Sequence, residues 1–227
     1  MSNPTGLSLY LLSIRGTLAA ATLEASRAVH NRTAGAPENV AAAQSLGDLS
    51  HMVYVPLEKP KEGAGEFLIM DIWNNLDGLN QFFANPTVQE QAGQIFTSRD
   101  PLVWTAAAGF AGYHIPAPYG KNERVVALVR GTVPSVEKAL AIHNAGAAKM
   151  INKSRKAGAL SHEAYFRMAA PNSPEALEFF AVDVWMGHDG MHEFYDQPEF
   201  MQTLDGLFTA EPDFSVWTHP AGEWAEW

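Results

Sequence analysis

The 227-residue sequence has no cysteine and comparatively few charged residues, and both shortages limit what the protein can do. Without cysteine there is no disulfide, no thiolate nucleophile and no cysteine-ligated metal or iron–sulfur site. Charged residues make up 18% of the chain and hydrophobic residues 47%, against roughly 25% charged in ordinary globular domains. This composition excludes intrinsic disorder and supplies enough apolar side chains for a sizeable core.

Basic residues and long apolar runs are also scarce. The 15 Lys and Arg residues face 25 Asp and Glu residues, a formal net charge of −10, which argues against a nucleic-acid partner because phosphate binding needs clustered cations. No apolar run is long enough to cross a bilayer. The apolar run 7–14 ends at Arg15 and follows no basic segment, so it predicts a strand rather than a signal peptide. We therefore expect a cytoplasmic protein without a membrane partner.

The sequence repeats itself once, about 110 residues further along the chain. DIWNNLDGLNQFF at Asp71–Phe83 returns as DVWMGHDGMHEFY at Asp183–Tyr195, and the SH pair at His51 returns at His162. Both copies then continue through a proline to a segment ending in VWT. Matches that keep their order through the whole copy indicate a duplication, with repeat 1 at residues 1–108, a linker at 109–122 and repeat 2 at 123–227.

Each copy predicts the element order β-α-β-β-α-β, the ferredoxin-like arrangement of an α+β protein. The first helix is predicted over residues 19–45 with a break at Pro37 in repeat 1, and over 135–157 in repeat 2. Helices on one side of each four-stranded sheet leave the other side bare, and two such sheets in one chain can cover each other.

The duplicated Asp-x-Trp segments resemble the dimeric α+β barrel superfamily, and specifically its antibiotic-biosynthesis-monooxygenase-like branch. The resemblance implies two ferredoxin-like repeats that form an intramolecular dimeric α+β barrel. That family commonly carries a histidine in the helix after the Asp-x-Trp strand, whereas Phe82 and Phe194 stand near that place here. A catalytic histidine at this position is therefore not carried over. The superfamily includes monooxygenases, haem enzymes and isomerases, so fold alone does not decide the function.

Side-chain alternation places Asp71 and Trp73 on one strand face, and Asp183 and Trp185 on the equivalent face of repeat 2. We expect these faces to line the barrel, because the opposite faces are purely aliphatic and suit packing against helices. A carboxylate on a partly apolar wall has a raised pKa and can act as a general base, with the tryptophans contacting substrate. The structural alternative is that each Asp binds a neighbouring backbone group or the Arg that ends the first strand.

His51 and His162 open the next pair of equivalent strands, each three residues before a tyrosine, Tyr54 or Tyr165. This spacing puts His and Tyr on opposite faces of a regular strand. The histidines are candidate proton carriers and the tyrosines candidates for orienting a substrate; alternatively, the histidines cap a turn and the tyrosines belong to the core.

Other polar residues also recur in both copies. Arg15 and Arg130 end the first strands and could hold a carboxylate or enolate, or pair structurally with Asp71 and Asp183. The His-Asn pairs beginning at His30 and His143 lie late in the first helices, where we expect a solvated helix face.

One pair of histidines occurs only in repeat 2. His188 and His192 have a helical metal-binding spacing but lack a third ligand nearby, and repeat 1 lacks them, so we predict no metal site.

The sequence therefore predicts a small enzyme acting on a small apolar or aromatic molecule, as a cofactor-independent monooxygenase. Its base would be His51/His162 or Asp71/Asp183, with Arg15/Arg130 holding the enolate. Two alternatives stay open: a haem-binding barrel protein, and a ligand-binding or structural protein without chemistry. A homo-oligomer is compatible with all three.

Overall fold

The computed structural model describes residues 8–58, 60, 63–114, 124–169, 173 and 177–227. These residues form two compact units. The N-terminal unit comprises Ser2–Trp104 together with His219–Trp227, and the C-terminal unit comprises Thr105–Thr218. Within the predicted linker at 109–122, residues 109–114 belong to the C-terminal unit and 115–122 lie outside the described residues.

The N-terminal unit is an antiparallel sheet of order β4-β1-β3-β2 with four helices. This strand order and the β-α-β-β-α-β sequence of elements are those of a ferredoxin-like fold. Its elements are β1 (Tyr10–Leu18), α1 (Leu23–Arg32), α2 (Pro37–Ser45), β2 (Asp48–Pro56), β3 (Glu66–Trp73), α3 (Leu76–Phe83), α4 (Pro86–Ile95) and β4 (Phe96–Ala106).

The C-terminal unit has the equivalent order β9-β6-β8-β7, extended by a short strand β5 on β7. The predicted α+β class and element order are therefore confirmed, and β5 is an addition that the sequence did not predict. Its elements are β5 (Tyr113–His114), β6 (Val125–Thr132), α5 (Val136–Lys156), β7 (Ala159–Arg167), β8 (Glu178–Trp185), α6 (His188–Tyr195), α7 (Pro198–Thr203) and β9 (Asp213–Thr218).

Local sequence signals explain where the helices begin. Thr22 and Ser135 accept backbone N–H groups at the start of α1 and α5, and proline occupies the first residue of α2, α4 and α7. The predicted long helix of repeat 1 is thus two helices, broken before Pro37. Among the described helices, none has both the length and the apolarity required to span a bilayer.

A glycine at the same point in each unit directs the chain into the strand that carries the site histidine. Gly47 follows α2 and Gly158 follows α5, with φ of 109° and 105°, a region that residues with a Cβ rarely adopt. The turn that each glycine allows starts β2 or β7.

The two faces of β3 are the reverse of our prediction. Phe67, Ile69 and Trp73 belong to the core cluster that includes Leu79 of α3 and Ile95 of α4. The face with Asp71 and Trp73 therefore packs against helices. Both faces of this strand are apolar enough to be buried, so alternation separated the faces but did not identify which one meets the helices.

Candidate functional site

A buried ion pair lies at the centre of the N-terminal unit. The strand register places His51 of β2 beside Asp71 of β3, and His51 Nδ1 lies 2.7 Å from Asp71 Oδ1. His51 is 4% exposed and Asp71 3% exposed. Two residues predicted separately as candidate bases thus form one hydrogen-bonded pair.

A second histidine, from helix α1, completes the arrangement. His30 Nε2 lies 3.0 Å from His51 Nε2, and the two imidazoles stack with centroids 5.2 Å apart. His30 is fully buried, so the expectation of a solvated helix face is wrong. The helix is polar on average, which hid the one inward-facing histidine in the sequence pattern.

The neighbours of Asn31 determine where the protons lie. Its Oδ1 accepts from the backbone N–H of Ala225, and its Nδ2 donates to the carbonyl of Glu223. Because Oδ1 is also the contact of His30 Nδ1 at 3.2 Å, that nitrogen donates and carries the hydrogen. His30 Nε2 must then accept from His51 Nε2–H. His51 also donates through Nδ1 to Asp71, so the network favours an imidazolium paired with a carboxylate.

The pKa directions agree with this assignment. Burial, followed by the charge of His51, lowers the pKa of His30 to about 4. Burial also acts to lower the pKa of His51, but the charge and hydrogen bond of Asp71, with the charges of Asp48 and Glu226, outweigh it and raise that pKa. His30 is consequently the neutral acceptor and His51 the charged donor.

A third acidic group, Asp48, stands beside this pair. Asp48 is the first residue of β2, is 4% exposed and accepts from the backbone N–H of Ser50. Burial, followed by the charge of Asp71, raises its pKa to about 7. The indole N–H of Trp227 faces Asp48 closely enough to oppose that rise, but its geometry falls short of a hydrogen bond and leaves this donor without a partner among the described residues.

Asp48, His51 and Asp71 all line a cavity of about 190 Å³ inside the N-terminal unit. Trp227 closes one part of it: its indole stacks on His51 at 4.5 Å, and its backbone exchanges two hydrogen bonds with that residue. The rest of the wall is mainly apolar and comes from β1, β3, β4 and helices α2 to α4, including Leu12, Ile14, Ala43, Ile69, Trp73, Leu79, Phe82, Phe83, Val88, Ala92 and Ile95. Its polar side chains are those of Asn39, Gln89, Gln91 and Arg99.

The C-terminal unit has the same polar framework, by which we mean a helix histidine, a strand histidine and an aspartate joined by hydrogen bonds. His162 Nδ1 lies 2.5 Å from Asp183 Oδ1, and His143 Nε2 lies 2.8 Å from His162 Nε2. Burial, followed by the charge of His162, lowers the pKa of His143 to about 4. Burial of His162 is outweighed by the charge and hydrogen bond of Asp183, which raise its pKa. The two frameworks therefore have the same protonation pattern.

The surroundings of the second framework are different. Tyr195, the last residue of α6, donates its hydroxyl to Asp183 Oδ2 at 2.6 Å and accepts from Trp185 Nε1 at 3.3 Å. The cavity here is only about 80 Å³. Position 159, equivalent to Asp48 as the first residue of its strand, is alanine.

The two predicted arginines lie away from both cavities. Arg15 pairs with Glu66 at 3.0 Å, and Arg130 pairs with Glu178. Both arginines lie three residues from the partners of the site aspartates in the strand register, and therefore on the opposite sheet face. The predicted alternative of an ion pair with Asp71 or Asp183 is wrong, because glutamates on the arginines' own sheet face supply the partners.

The tyrosines follow the predicted alternation. Tyr165 donates to Glu163 two residues away on its own face, and Tyr54 occupies the equivalent strand position, opposite in direction to His51. Neither tyrosine lines the cavity of its unit. Trp73 and Trp185, in contrast, line the cavities of their units, on the face that packs against helices rather than on the predicted barrel face.

The histidine pair of repeat 2 lies on the surface. His188 contacts Asp189, and His192 contacts Asp196. Within the described part of the chain, no group of three potential metal ligands comes together.

The site histidines do not fit a haem iron. Both ring nitrogens of His30 and of His51 are engaged in hydrogen bonds, and those of His143 and His162 are engaged in the same way. None of these imidazoles offers a free nitrogen as an axial ligand.

Several site residues were missing from the sequence prediction. The duplicated His-Asn pairs at His30 and His143 were a usable signal, because a solvated face has no need to keep such a pair in both copies. Asp48 and Tyr195 have no counterpart in the other repeat, so a search for shared residues passes over them. Trp227 is distant in sequence from every residue that it contacts in the site.

No protein-family model matches the sequence, and no curated protein sequence matches it. Solved structures match throughout the chain at low identity. An anthrone oxidase-like protein has a TM-score of 0.65 and 16% identity, over 95% of this chain and 94% of that one. A candidate monooxygenase from Fusobacterium nucleatum has a TM-score of 0.59 and 12% identity, over 95% and 96% of the two chains.

A third similar structure is a ferredoxin-fold protein related to antibiotic biosynthesis monooxygenases, from Listeria monocytogenes. Its TM-score is 0.52 at 8% identity, covering 95% of this chain and 96% of that one. The chain thus has the ferredoxin-like fold of antibiotic-biosynthesis-monooxygenase-like proteins, which agrees with the resemblance seen in its sequence. At these identities the likeness concerns the fold.

Proposed function

We propose that the N-terminal unit is the catalytic half of a cofactor-independent oxygenase for an apolar, aromatic molecule with an acidic C–H group. The observation that carries this proposal is a pair of buried carboxyl groups, Asp48 and Asp71, on the wall of a mainly apolar cavity. A base in such a site works best when its pKa is near the working pH, and that of Asp48 is about 7.

The size of the cavity is appropriate for an aromatic ring. An apolar cavity of roughly 150 Å³ is known to bind benzene, and the N-terminal cavity measures about 190 Å³. The C-terminal cavity of about 80 Å³ is too small for the same ligand. We therefore assign ligand binding to the N-terminal unit alone.

In the proposed reaction Asp48 removes a proton from the acidic carbon, and the unpaired N–H of Trp227 is available to the oxygen on which negative charge accumulates. The carbanion passes one electron to O₂, and the resulting radical and superoxide join as a carbon-bound peroxide. Protonation from Asp48 gives the hydroperoxide, which loses water to leave a carbonyl group. One methylene group and one O₂ thus become one carbonyl group and one water, and burial together with the charge of Asp71 keeps the pKa of Asp48 high.

The similar structures support this choice of chemistry, since one is an anthrone oxidase-like protein and another a candidate monooxygenase. An oxidase or oxygenase of this kind needs a base, a dry apolar pocket and access of O₂. The N-terminal unit provides the base and the pocket.

The test begins with ring ketones such as 2-tetralone and anthrone, selected first for binding by their effect on thermal unfolding. Oxygen consumption is then measured with each compound that binds. We expect uptake that falls at least 100-fold in Asp48→Asn and in Asp71→Asn while binding persists. Asp183→Asn, the matched change in the C-terminal unit, is expected to leave the rate unchanged. Binding without oxygen uptake, or an undiminished rate in Asp48→Asn, would reject the proposal.

A further inference from the structure

In the C-terminal unit, the aspartate and the tryptophan of the site share one hydrogen-bond partner. The hydroxyl of Tyr195 lies between them, donating to Asp183 Oδ2 and accepting from Trp185 Nε1. Burial, followed by the charge of Asp183, raises the pKa of Tyr195 well above its ordinary value. The tyrosine therefore keeps its proton and acts as the donor to the carboxylate.

The N-terminal unit has the equivalent aspartate and tryptophan, Asp71 and Trp73, but no hydroxyl group from the described part of the chain lies between them. Phe83 ends α3 as Tyr195 ends α6, and phenylalanine has no group to place between Asp71 and Trp73. Trp73 is fully buried and its Nε1 has no hydrogen-bond partner among the described residues. Buried donors are nearly always paired, so an unpaired one at this position indicates a partner that the chain itself does not supply.

The neighbouring side chains are smaller or more distant than their counterparts in the C-terminal unit. The ring of Phe83 lies 6.2 Å from Trp73, whereas the ring of Tyr195 lies 5.3 Å from Trp185. Val88, the third residue of α4, stands where α7 has Phe200, and both residues line the cavities of their units. Smaller or more distant side chains thus accompany the missing hydroxyl.

From this comparison we infer that the N-terminal cavity has a subsite for the hydroxyl of an aromatic ligand, and that Tyr195 is the built-in occupant of the equivalent subsite in the C-terminal unit. The ligand hydroxyl donates to Asp71 Oδ2, the oxygen of this cavity-lining residue that is not bound to His51. It accepts from Trp73 Nε1 once the partly exposed ring of Phe83 shifts aside. Phe83 is consequently the residue that covers the subsite without supplying a hydroxyl to fill it.

This inference rests on the proposed function for the location of the ligand, and it adds the chemical class: a ring that carries a hydroxyl group. The predicted preference is large because a site built to bind a hydroxyl leaves buried polar groups unpaired when the hydroxyl is absent. We expect 2-naphthol to bind at least tenfold more tightly than naphthalene, measured by titration calorimetry or by quenching of tryptophan fluorescence.

Two matched variants test the assignment. Phe83→Tyr places a hydroxyl on the chain itself, so it should reduce 2-naphthol affinity at least tenfold and raise the unfolding temperature. Tyr195→Phe, the reverse change in the other unit, should leave 2-naphthol affinity unchanged. Should Phe83→Tyr fail to fold, Trp73→Phe serves instead, and it should reduce the preference for 2-naphthol while retaining naphthalene binding.

Equal affinities for 2-naphthol and naphthalene in the unmodified protein would overturn the subsite, as would undiminished 2-naphthol binding by folded Phe83→Tyr. Persistence of the preference in Trp73→Phe would overturn the role of the indole. These results are separable from failure of the oxygenase. A hydroxyl preference without any oxygen uptake removes only the proposed reaction, while oxygen uptake without a preference removes only the subsite.

Discussion

The two units carry the same polar framework but use it differently. In each, a helix histidine accepts from a strand histidine that is paired with an aspartate. In the C-terminal unit the second oxygen of that aspartate is bound by Tyr195. In the N-terminal unit it remains available, and a further acid, Asp48, stands beside it.

This difference separates structural from functional residues. A buried histidine–aspartate pair is also present in the C-terminal unit, where the cavity is small and Tyr195 binds the aspartate. Such a pair serves to hold two strands and a helix together, and its presence alone does not identify a catalytic site. Better guides to function are the residues that distinguish the N-terminal unit from the C-terminal unit: Asp48, Phe83 and Val88. The predictions below are ordered from the largest expected effect to the smallest.

Making the N-terminal unit resemble its counterpart at position 48 should abolish most activity. Asp48→Ala reproduces the alanine found at position 159 and removes the proposed base, so we expect kcat/KM for oxygen uptake to fall by roughly 10² to 10⁴. Ala159→Asp, the matched change in the C-terminal unit, should add no activity because Tyr195 occupies the site. A gain of activity in Ala159→Asp would show that the units are functionally alike.

Acidification should destabilise the C-terminal unit more than the N-terminal unit, because the raised pKa of Asp48, about 7, favours the folded N-terminal unit as the pH falls below 7. His30 and His143 have pKa values of about 4 in the folded protein, whereas an unfolded histidine titrates near 6.5, so protonation favours the unfolded chain. Their stabilising contribution is complete above pH 6.5 and is lost as the pH falls towards 4, by about 3 kcal/mol for each histidine. Denaturant unfolding at pH 7 and pH 4 measures the loss, with exposed His192→Gln as the control. A C-terminal unit whose stability does not change over this interval would contradict the neutral state assigned to His143.

The pH dependence of activity should come from the N-terminal unit only. Because the pKa of Asp48 is about 7, kcat/KM should rise about tenfold per pH unit below 7 and level off above it. The charged groups that act on Asp48 are Asp71, which adds to the effect of burial in raising its pKa, and His51, which lowers it. Initial rates between pH 5 and pH 8 test this, and a flat profile would exclude Asp48 as the base.

Removing the hydroxyl that closes the C-terminal unit should cost stability without affecting ligand binding. Tyr195→Phe leaves Asp183 Oδ2 and Trp185 Nε1 without that partner, a loss of about 1 to 3 kcal/mol in the free energy of unfolding. Phe83→Leu, the matched change at the open position, alters only apolar packing and should cost less than about 1.5 kcal/mol. Equal losses in the two variants would indicate that the Tyr195 hydroxyl contributes nothing beyond its ring.

The fold could be predicted because the hydrophobic patterns of the two copies predict the same order of strands and helices. Each copy therefore supports the interpretation of the other. The inner face of β3 could not be predicted, since Phe67 and Leu68 are both buried and composition does not distinguish their surroundings. Asp71 and His51 were identifiable as duplicated polar residues in apolar strands, although their direct contact depended on the strand register.

The residues that differ between the units were the hardest to find. Asp48 is a single acid at a strand end, and nothing in its sequence neighbourhood reports its burial. Trp227 reaches the site through backbone pairing with His51, a contact between distant segments that no local pattern records. A search based on repetition is therefore efficient for the shared framework and insensitive to the asymmetry that we connect with function.

The attachment of His219–Trp227 to the N-terminal unit also has a consequence for biosynthesis. Trp224 packs against His30 and Phe67, and Glu226 accepts from the backbone N–H of Val53. A ribosome has to translate the entire C-terminal unit before it can deliver these residues, so the wall of the N-terminal cavity stays incomplete while the rest of its unit is already outside the exit tunnel. The unit that is made first is therefore the one completed last, because its cavity wall is complete only after residue 227 has been translated.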